Sequence, residues 1–337
     1  MGEREGPVAG VTSDMARLSK RICVRLLAPL MRAIPDDRPR AAYQKERLYR
    51  WIGGGGFGPD QAVDASWRTG SEPRVRLRRS GYTLSLRPWI WSERRGVFFG
   101  DYYQRDIVEL LGALVRPSDR VIDIGANIGF TVLRSARIVG PGGVVDAFEP
   151  NPEVGSRLRR TLDENALGWV RLHPCAVGAG DGTATLSYRP EHTGAGSLVR
   201  EAAEGKHVEV KVRSARSVFE DGPADRPTII KIDVEGFEAP VLRSLTPCLH
   251  DRCHAVIVEI NPRLLAEQGE RVEAIAGALA EKGLHAWLFR IARDERRSRL
   301  ELARCAEFSE SGHYDVLFAD AVAIERCRDA GARVEGG

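Results

Sequence analysis

Polar side chains interrupt apolar stretches of this sequence at positions where they could bind a nucleoside. Asp123 lies within an apolar stretch and precedes the run Gly125-Ala126-Asn127-Ile128-Gly129. A glycine-containing turn of this kind lets a ligand approach the backbone closely, although the pattern alone is weak evidence. Glu149 follows the next apolar stretch, 24 residues after Gly125. In dinucleotide-binding domains, an acidic residue at about this distance accepts hydrogen bonds from the ribose hydroxyls, so we expect Glu149 to bind a ribose.

The charge of Asp123 distinguishes between two classes of nucleoside. A carboxylate at the mouth of the turn repels a pyrophosphate and attracts the sulfonium and ammonium groups of S-adenosylmethionine. The helix that follows can bind the carboxylate of the same ligand, because its first N–H groups favour anions. The alternatives are that Asp123 caps a helix or turn, and that the run from Glu149 to Pro152 is turn and cap chemistry. We expect S-adenosylmethionine as the cofactor, bound by Asp123, Gly125, Ala126, Asn127, Gly129, Glu149 and Asn151.

The elements that must position these residues form an α/β pattern. Strands are predicted at 121–124, 144–148, 170–172, 228–232, 255–260, 286–291 and 314–318, with helical segments between them. This alternation predicts a doubly wound, mostly parallel sheet of seven strands. An insertion of short strands is expected at 183–213. Function in such a sheet lies at the carboxyl ends of the strands, which is where the polar groups occur.

The first part of the chain is expected to be an extension of this domain. Residues 14–34 predict a basic amphipathic helix, kinked near Pro29, with a stripe of Met15, Leu18, Ile22, Leu26 and Leu30. The stripe could adhere to an anionic membrane surface, but we favour packing of the helix on the main domain. A glycine-rich linker at 53–56 and a hairpin at 74–87 follow. The predicted division is an N-terminal extension at 1–66, a catalytic domain at 67–325 and a tail at 326–337.

Composition excludes several classes of protein. The chain has 337 residues, and 50 Lys and Arg against 47 Asp and Glu give a net charge of +3, too small to imply a nucleic-acid partner. No stretch approaches the roughly 18 apolar residues of a membrane span. The six cysteines are scattered, which favours reduced thiols in the cytoplasm. We name no metal ligand, because the run from Cys248 to His254 lacks the two separated ligand pairs of a zinc site.

Taken together, the motifs resemble those of the FkbM-type methyltransferases. The resemblance rests on the runs Asp123-Ile-Gly-Ala-Asn-Ile-Gly129, Phe148-Glu-Pro-Asn-Pro152 and Lys231-Ile-Asp-Val-Glu-Gly-Phe-Glu238. Shorter runs occur in the family's order: Ala176-Val-Gly with Asp181-Gly182, Gly196-Ser197-Leu198 and Val258-Glu259-Ile260. The resemblance covers about residues 98–262 and implies a class I, Rossmann-like methyltransferase fold, S-adenosylmethionine as donor, and O-methylation of a small molecule or a sugar. A Leu-Asp pair usual in the family is replaced by Ala215-Arg216-Ser217.

In such an enzyme, Asp233 and Glu235 would border the methyl group that is transferred. Either carboxylate could accept the proton of the acceptor hydroxyl, or carboxylates could hold a divalent cation that activates it. The alternative is a capping cluster, since Glu235 and Glu238 also suit a helix N-terminus. His192 is a further candidate base, although most loop histidines do no chemistry. A non-catalytic nucleoside-binding scaffold and an NAD-dependent oxidoreductase are the alternative functions.

Overall fold

The chain separates into two compact units in the computed structural model. One unit is Met1–Tyr103 with Arg293–Ser298, and the other is Gln104–Ala292 with Arg299–Gly337. The structure describes residues 17–34, 39–52, 65–68, 70–101, 104–189, 192–198, 205–223, 225–293 and 298–335. The glycine-rich linker at 53–56, next to the predicted boundary near residue 66, lies outside these ranges, and the predicted three-part division stays a prediction.

The first unit contains short helices and a hairpin. Residues 17–22 are helical and continue through a π-helical segment, Cys23–Leu27, into helix α1 (Ala28–Ala33). Pro29 has no N–H to donate, which explains why the regular hydrogen bonding changes there. Helix α2 (Pro39–Trp51) and the 3₁₀ turn Ala65–Trp67 follow. Strands β1 (Arg74–Arg76) and β2 (Thr83–Ser85) form the predicted antiparallel hairpin, and helix α3 (Trp91–Phe99) completes the unit.

The N-terminal helix buries a different face from the expected one. Val24, Ala28 and Met31 are buried, and Arg32 donates a hydrogen bond to the Val97 carbonyl of helix α3. The expected packing stripe, which includes Leu18, is exposed instead. The expectation was wrong because both faces of this segment are apolar, so periodicity could not select the buried one. Met15 lies outside the described residues.

The second unit is built on one large sheet. Its elements, in chain order, are α4 (Arg105–Leu114), β3 (Arg120–Ile124), α5 (Phe130–Val139), β4 (Val144–Phe148), α6 (Pro152–Glu164), β5 (Val170–His173), β6 (Ala176–Gly178), β7 (Gly182–Arg189), β8 (His192–Ser197), β9 (Lys206–Ser214), α7 (Ala215–Glu220), β10 (Thr228–Ile232), α8 (Glu238–Leu245), β11 (Cys253–Ile260), α9 (Pro262–Glu267), α10 (Val272–Ala280), β12 (His285–Arg293), β13 (Ser298–Arg304), β14 (Tyr314–Ala319), α11 (Ala321–Asp329) and β15 (Arg333–Glu335).

The described residues contain nine strands in this sheet, in the order β15-β13-β12-β14-β11-β10-β3-β4-β5. Strands β3, β4, β5, β10 and β11 are parallel to their neighbours within this group, and β14 runs antiparallel to both β11 and β12. The seven predicted strands are present, so the doubly wound α/β class is confirmed. Strands β13 and β15 extend the sheet beyond seven. Their alternation was hidden by arginines, although Leu300 and Leu302 of β13 are buried.

The predicted insertion forms a separate sheet of strands β6 to β9, in the order β6-β9-β7-β8. In the large sheet, the central strands β3 and β10 are buried along their whole length. Ile122, Ile230 and Val256 contribute to the main hydrophobic core together with residues of helices α7 and α8. Among the helices that the structure describes, none has the length and apolar character of a membrane span.

The register of the sheet aligns the carboxyl ends of its central strands. Ile124 pairs with both Phe148 and Ile232, and Ile232 pairs with Val258. Because β14 is antiparallel, it begins at this same edge, where Asp315 lies opposite Glu259. The loops after β3, β4, β10 and β11 therefore start beside one another.

Candidate functional site

The turn after β3 approaches the β10 loop so closely that it requires glycine. Gly125 has a φ of +84°, and a Cβ there would lie 1.8 Å from the carbonyl oxygen of Asp233. Gly129 has a φ of +101°, and a Cβ would lie 2.6 Å from Leu158 of helix α6. Asn127 also adopts the left-handed conformation, with φ at 47°, which asparagine tolerates better than most residues. The sequence run is therefore a tight backbone turn that leads into helix α5.

Asp123 does not project alone into the mouth of this turn. The residue is 1% exposed, and Thr131 donates a hydrogen bond to its Oδ2 at 2.5 Å. Lys231, its register partner on β10, places Nζ 3.4 Å from Oδ1. Burial raises the pKa of Asp123 above its ordinary value, although Lys231 and Thr131 oppose this shift. The expectation of a lone carboxylate facing the ligand is wrong, because a cation from the neighbouring strand pairs with it.

Lys231 connects the turn after β3 with the loop after β10. Its ammonium group lies 3.1 Å from Oδ2 of Asp233 and donates a hydrogen bond to the carbonyl of Gly125 at 3.1 Å. Burial alone would lower the pKa of Lys231, but Asp123 and Asp233 raise it above its ordinary value. The ammonium group is therefore charged and buried, and it links the β3 turn to the carboxylate that follows β10.

Glu149 links the turns after β3 and β4. Its Oε2 accepts a hydrogen bond from the backbone N–H of Asn127 and its Oε1 accepts one from the N–H of Asn151, each at 2.8 Å. Burial raises the pKa of Glu149 to about 7, although the two amide donors oppose this. Each carboxylate oxygen can accept a second hydrogen bond. Glu149 is thus held in place by the backbone and can still accept hydrogen bonds from hydroxyl groups of a ligand.

Asn151 acts as a helix cap, as the alternative interpretation of this run held. Its Oδ1 accepts hydrogen bonds from the N–H groups of Glu153 at 3.0 Å and Val154 at 3.4 Å, at the start of helix α6. The residue is buried, and its Nδ2 has no hydrogen-bond partner within the described part of the chain. A buried amide donor without a partner is costly, which makes this atom a candidate for a ligand contact.

Three carboxyl groups meet at the ends of β10 and β11. Asp233, Glu235 and Glu259 each have one ligand oxygen within 4.8 Å of the others, an arrangement that could hold a metal ion. The charge of Asp233, with burial and Glu235, raises the pKa of Glu259 to about 10. Burial and the charge of Asp233 also raise the pKa of Asp315 to about 7. This edge of the sheet therefore crowds carboxyl groups together, and the negative potential from Asp233 favours the protonated form of Glu259. Elsewhere, in the run from Cys248 to His254 that lacks the spacing of a zinc site, Nδ1 of His254 lies 2.7 Å from Oδ2 of Asp320.

The turn that carries Glu235 is held from three directions. Oε1 of Glu238 accepts hydrogen bonds from the N–H groups of Val234 at 3.1 Å and Gly236 at 3.0 Å. Ser197 donates to the carbonyl of Glu235 at 3.2 Å, and Gln268 donates to the carbonyl of Gly236 at 2.7 Å. Glu238 therefore stabilises this turn, although no described side chain caps the N-terminus of helix α8. Glu235, whose φ is 53°, is held in a conformation that few non-glycine residues adopt.

Several residues of the site were missed from the sequence. Gln104 donates a hydrogen bond from Nε2 to Oδ2 of Asp233 at 2.8 Å, and Asp315 joins the acidic group from β14. Glu259 had a recognisable signal, since it is a charged residue near the carboxyl end of an apolar strand. Gln104 had none. His192 begins β8 and pairs with Arg189 across the hairpin, but its side chain lies outside the description, so its role stays a prediction.

Comparisons with known proteins match a family model, several relatives and many solved structures. The family model described as "Methyltransferase FkbM domain" matches residues 123–286. Hexuronic acid methyltransferase AglP of Haloferax volcanii is 30% identical over 192 residues, which make up 57% of this chain and 74% of that protein. The 31-O-demethyl-FK506 methyltransferase FkbM of Streptomyces tacrolimicus is 27% identical over 50% of this chain and 73% of its own. The crystal structure of Aeropyrum pernix fibrillarin with S-adenosyl-L-methionine aligns over 77% of this chain and 85% of its own, with 14% identity and a TM-score of 0.36.

Proposed function

The chain belongs to the FkbM methyltransferase family, and we propose that it methylates a hydroxyl oxygen of a small molecule or a glycosyl group. As a member it is an S-adenosylmethionine-dependent methyltransferase, which replaces the alternative of an NAD-dependent oxidoreductase. The observation that carries the acceptor-side proposal is the contact of Lys231 with both Asp123 and Asp233. This contact supports the proposal, because it brings the carboxylate of Asp233 beside the turn that we assign to the donor.

The residues around the β3 turn suit the donor in both shape and charge. Glu149 has free lone pairs for ribose hydroxyls, and Nδ2 of Asn151 is a donor without a partner in the described chain. The first N–H groups of helix α5 can bind a carboxylate. The charge of Asp233 creates a negative potential at the ends of β10 and β11, which favours the protonated form of Glu259 and would also favour a cationic ligand. This is the role first assigned to Asp123 alone.

We assign donor binding to Asp123, Gly125, Ala126, Asn127, Gly129, Glu149 and Asn151. Gly125 and Gly129 act by allowing close approach of the backbone, and Glu149 acts by direct contact. Asp123 acts from behind the turn, through Lys231 and Thr131, because it is buried. When bound, S-adenosylmethionine supplies an electrophilic methyl group on a positively charged sulfur.

Asp233 is the residue that we assign to the acceptor hydroxyl. Lys231 and Gln104 both contact Oδ2 of Asp233, so Oδ1 is the oxygen that would accept the hydroxyl proton. Glu235 would orient the acceptor from the braced turn beside it. Proton acceptance by a positioned carboxylate accelerates such reactions by about 10²–10⁴-fold, and alignment of the reactants contributes the remainder. His192 is retained as an additional candidate base.

The acceptor class is inferred from the relatives. One is named for a hexuronic acid and another for a derivative of FK506, so a sugar or a small hydroxylated molecule is the acceptor that we propose. The six cysteines are free thiols, which supports a reducing compartment such as the cytoplasm.

Two measurements test the proposal. Calorimetry should show binding of S-adenosylhomocysteine to the full chain, and labelled methyl groups should pass from the donor to a component of cell extract. Asp233→Asn should lower the transfer rate by about 10²–10⁴-fold and leave S-adenosylhomocysteine affinity unchanged. Asp251→Asn, an exposed aspartate in a turn, is the matched control. Binding of the ligand without any transfer would support the non-catalytic scaffold, and equal rates for the two variants would remove Asp233 from the reaction.

A further inference from the structure

The helical segment at residues 17–33 has a second apolar face that is exposed. Leu18, Ile22, Leu26 and Leu30 are between 49% and 64% exposed. They follow one another at intervals of four residues, so they lie along one side of the helix. Isolated exposed hydrophobic residues are common, but a contiguous row marks an interaction surface. We call these four side chains the N-terminal stripe.

The exposure is concentrated in this part of the chain. In the part of the chain that the structure describes, nine large hydrophobic side chains are exposed, and seven of them lie between residues 18 and 51. Besides the N-terminal stripe, these include Ile34 and two aromatic residues of helix α2, Tyr43 and Trp51, which are 63% and 81% exposed. Tyrosine and tryptophan favour surroundings with one apolar and one wet side, such as the boundary of a membrane.

The charge of residues 17–34 indicates the chemistry of the partner that would cover the N-terminal stripe. Residues 17–34 contain five basic side chains and no acidic one, whereas the whole chain has a net charge of only +3. Two of the five point into the unit: Lys20 bonds to the carbonyl of Ile52 and Arg32 to that of Val97. Arg21 and Arg25 are exposed and follow Leu18 and Ile22 by three residues, so they flank the stripe. The occupant must therefore offer an apolar interior and a negatively charged border.

We propose that the N-terminal stripe docks this protein on an anionic lipid surface, with Arg21 and Arg25 beside the phosphate headgroups. A helix that lies in the plane of a membrane combines an apolar side with flanking basic residues in this way. A second copy of the chain fits less well, because it would bring the same arginines against one another. A nucleic acid would leave the aliphatic row without a suitable partner, since bases stack on aromatic side chains. The proposal does not depend on the methyl-transfer reaction.

Vesicle co-sedimentation of the full chain tests this surface. Binding to phosphatidylcholine vesicles that contain phosphatidylglycerol should be strong at low salt, weaker at high salt, and weaker on pure phosphatidylcholine. The double variant Leu26→Glu with Leu30→Glu should reduce the partition coefficient at least about tenfold, because it places charges in the apolar layer. Leu288→Glu is the matched control, since Leu288 is an exposed leucine, at 40%, outside this segment. Arg21→Gln with Arg25→Gln should remove the preference for anionic vesicles.

Calorimetry with S-adenosylhomocysteine verifies that each variant remains folded. The proposal is overturned if the full chain does not bind anionic vesicles, or if Leu288→Glu weakens binding as much as the stripe variant. It is also overturned if the protein forms dimers without lipid and the stripe variant is monomeric, because the occupant is then a second copy. If removal of residues 1–16 is needed before vesicles bind, the chain covers its own stripe and the proposal fails for the intact protein.

Discussion

Two buried aspartates on neighbouring strands have opposite electrostatic surroundings. Asp123 on β3 and Asp146 on β4 are each 1% exposed. Arg120 lies 3.0 Å from Asp146, Arg171 contacts it through two nitrogens at 2.6 Å, and His173 lies 3.2 Å away. Burial alone would raise the pKa of Asp146, but His173, Arg171 and Arg120 hold it well below its usual range. In contrast, burial outweighs the partners of Asp123 and raises its pKa.

The difference between the two aspartates separates structure from function. The negative charge of Asp146 is fully compensated by its neighbours. This cluster therefore has a structural role, and Asp146 is not expected to attract a charged ligand. Asp123 shares its ammonium group with Asp233, so the cation is divided between two carboxylates. The resulting excess of negative charge lies at the edge of the sheet where a positively charged methyl donor is expected. Mutations that exchange or remove these partners test this distinction.

The largest effect is expected from Lys231→Met. The substitution removes the cation that Asp123 and Asp233 share, and breaking a buried ion pair by removing one partner costs about 3–5 kcal/mol of unfolding free energy. The proposed base also loses its positioning contact, so methyl transfer should fall by at least about a hundredfold. Arg171→Met is the matched variant on the other aspartate. Arg171 is half-exposed and Asp146 keeps Arg120 and His173, so the expected cost is about 0–1 kcal/mol. Urea denaturation measures both values, and equal losses would contradict the comparison.

The sequence predicted the positions of both strand ends but not the partners of the aspartates. Asp123 and Glu149 were recognisable because each is an acidic residue at or near the end of an apolar stretch that precedes a turn. The contact between Asp123 and Lys231 depends on the register of strands that are far apart in the chain. Asp315 could be placed only once β14 was known to run antiparallel. The N-terminal helix shows the same limit, because its two apolar faces are distinguished by tertiary packing and not by periodicity.

The second prediction compares variants in which each of the two aspartates, in turn, is replaced by asparagine. Asp146→Asn should lower the unfolding free energy by about 3 kcal/mol, since Arg120 then remains buried without its counterion. Asp123→Asn keeps an oxygen that can accept the hydrogen bond from Thr131, so its effect on stability should be smaller. It removes charge from the donor side, and should therefore weaken S-adenosylmethionine more than S-adenosylhomocysteine, which lacks the positive charge on sulfur.

The ratio of the two affinities is the informative measurement for this pair of variants. Competition calorimetry should show that Asp123→Asn lowers the preference for the charged ligand and that Asp146→Asn leaves it unchanged. A lower preference in both variants would mean that the charge at the donor site does not come from Asp123 and its neighbours. The melting temperatures of the same samples establish which of the two changes affects the fold.

The smallest effect concerns Glu149, which extends the comparison to a third buried acid. Burial raises its pKa to about 7, and ribose hydroxyls donate to the ionised form. Because the ionised fraction rises from roughly a tenth at pH 6 to roughly nine-tenths at pH 8, affinity for S-adenosylhomocysteine should increase by up to about tenfold over this interval. Glu149→Gln cannot ionise, so it should bind S-adenosylhomocysteine weakly and with an affinity that does not change with pH.

The stability of the free protein should change in the opposite direction, because a raised pKa of Glu149 means that the folded state retains its proton. The unfolding free energy of the free protein, relative to Glu149→Gln, should therefore fall as the pH rises from about 4 to 7. Asp146, whose pKa is lowered, should contribute almost no slope above about pH 5, and its stabilisation should be lost as the pH falls below that value. An affinity for the ligand that stays constant between pH 6 and 8 would show that the carboxyl group is already ionised in the free protein, and would place Glu149 with Asp146 among the fully compensated acids.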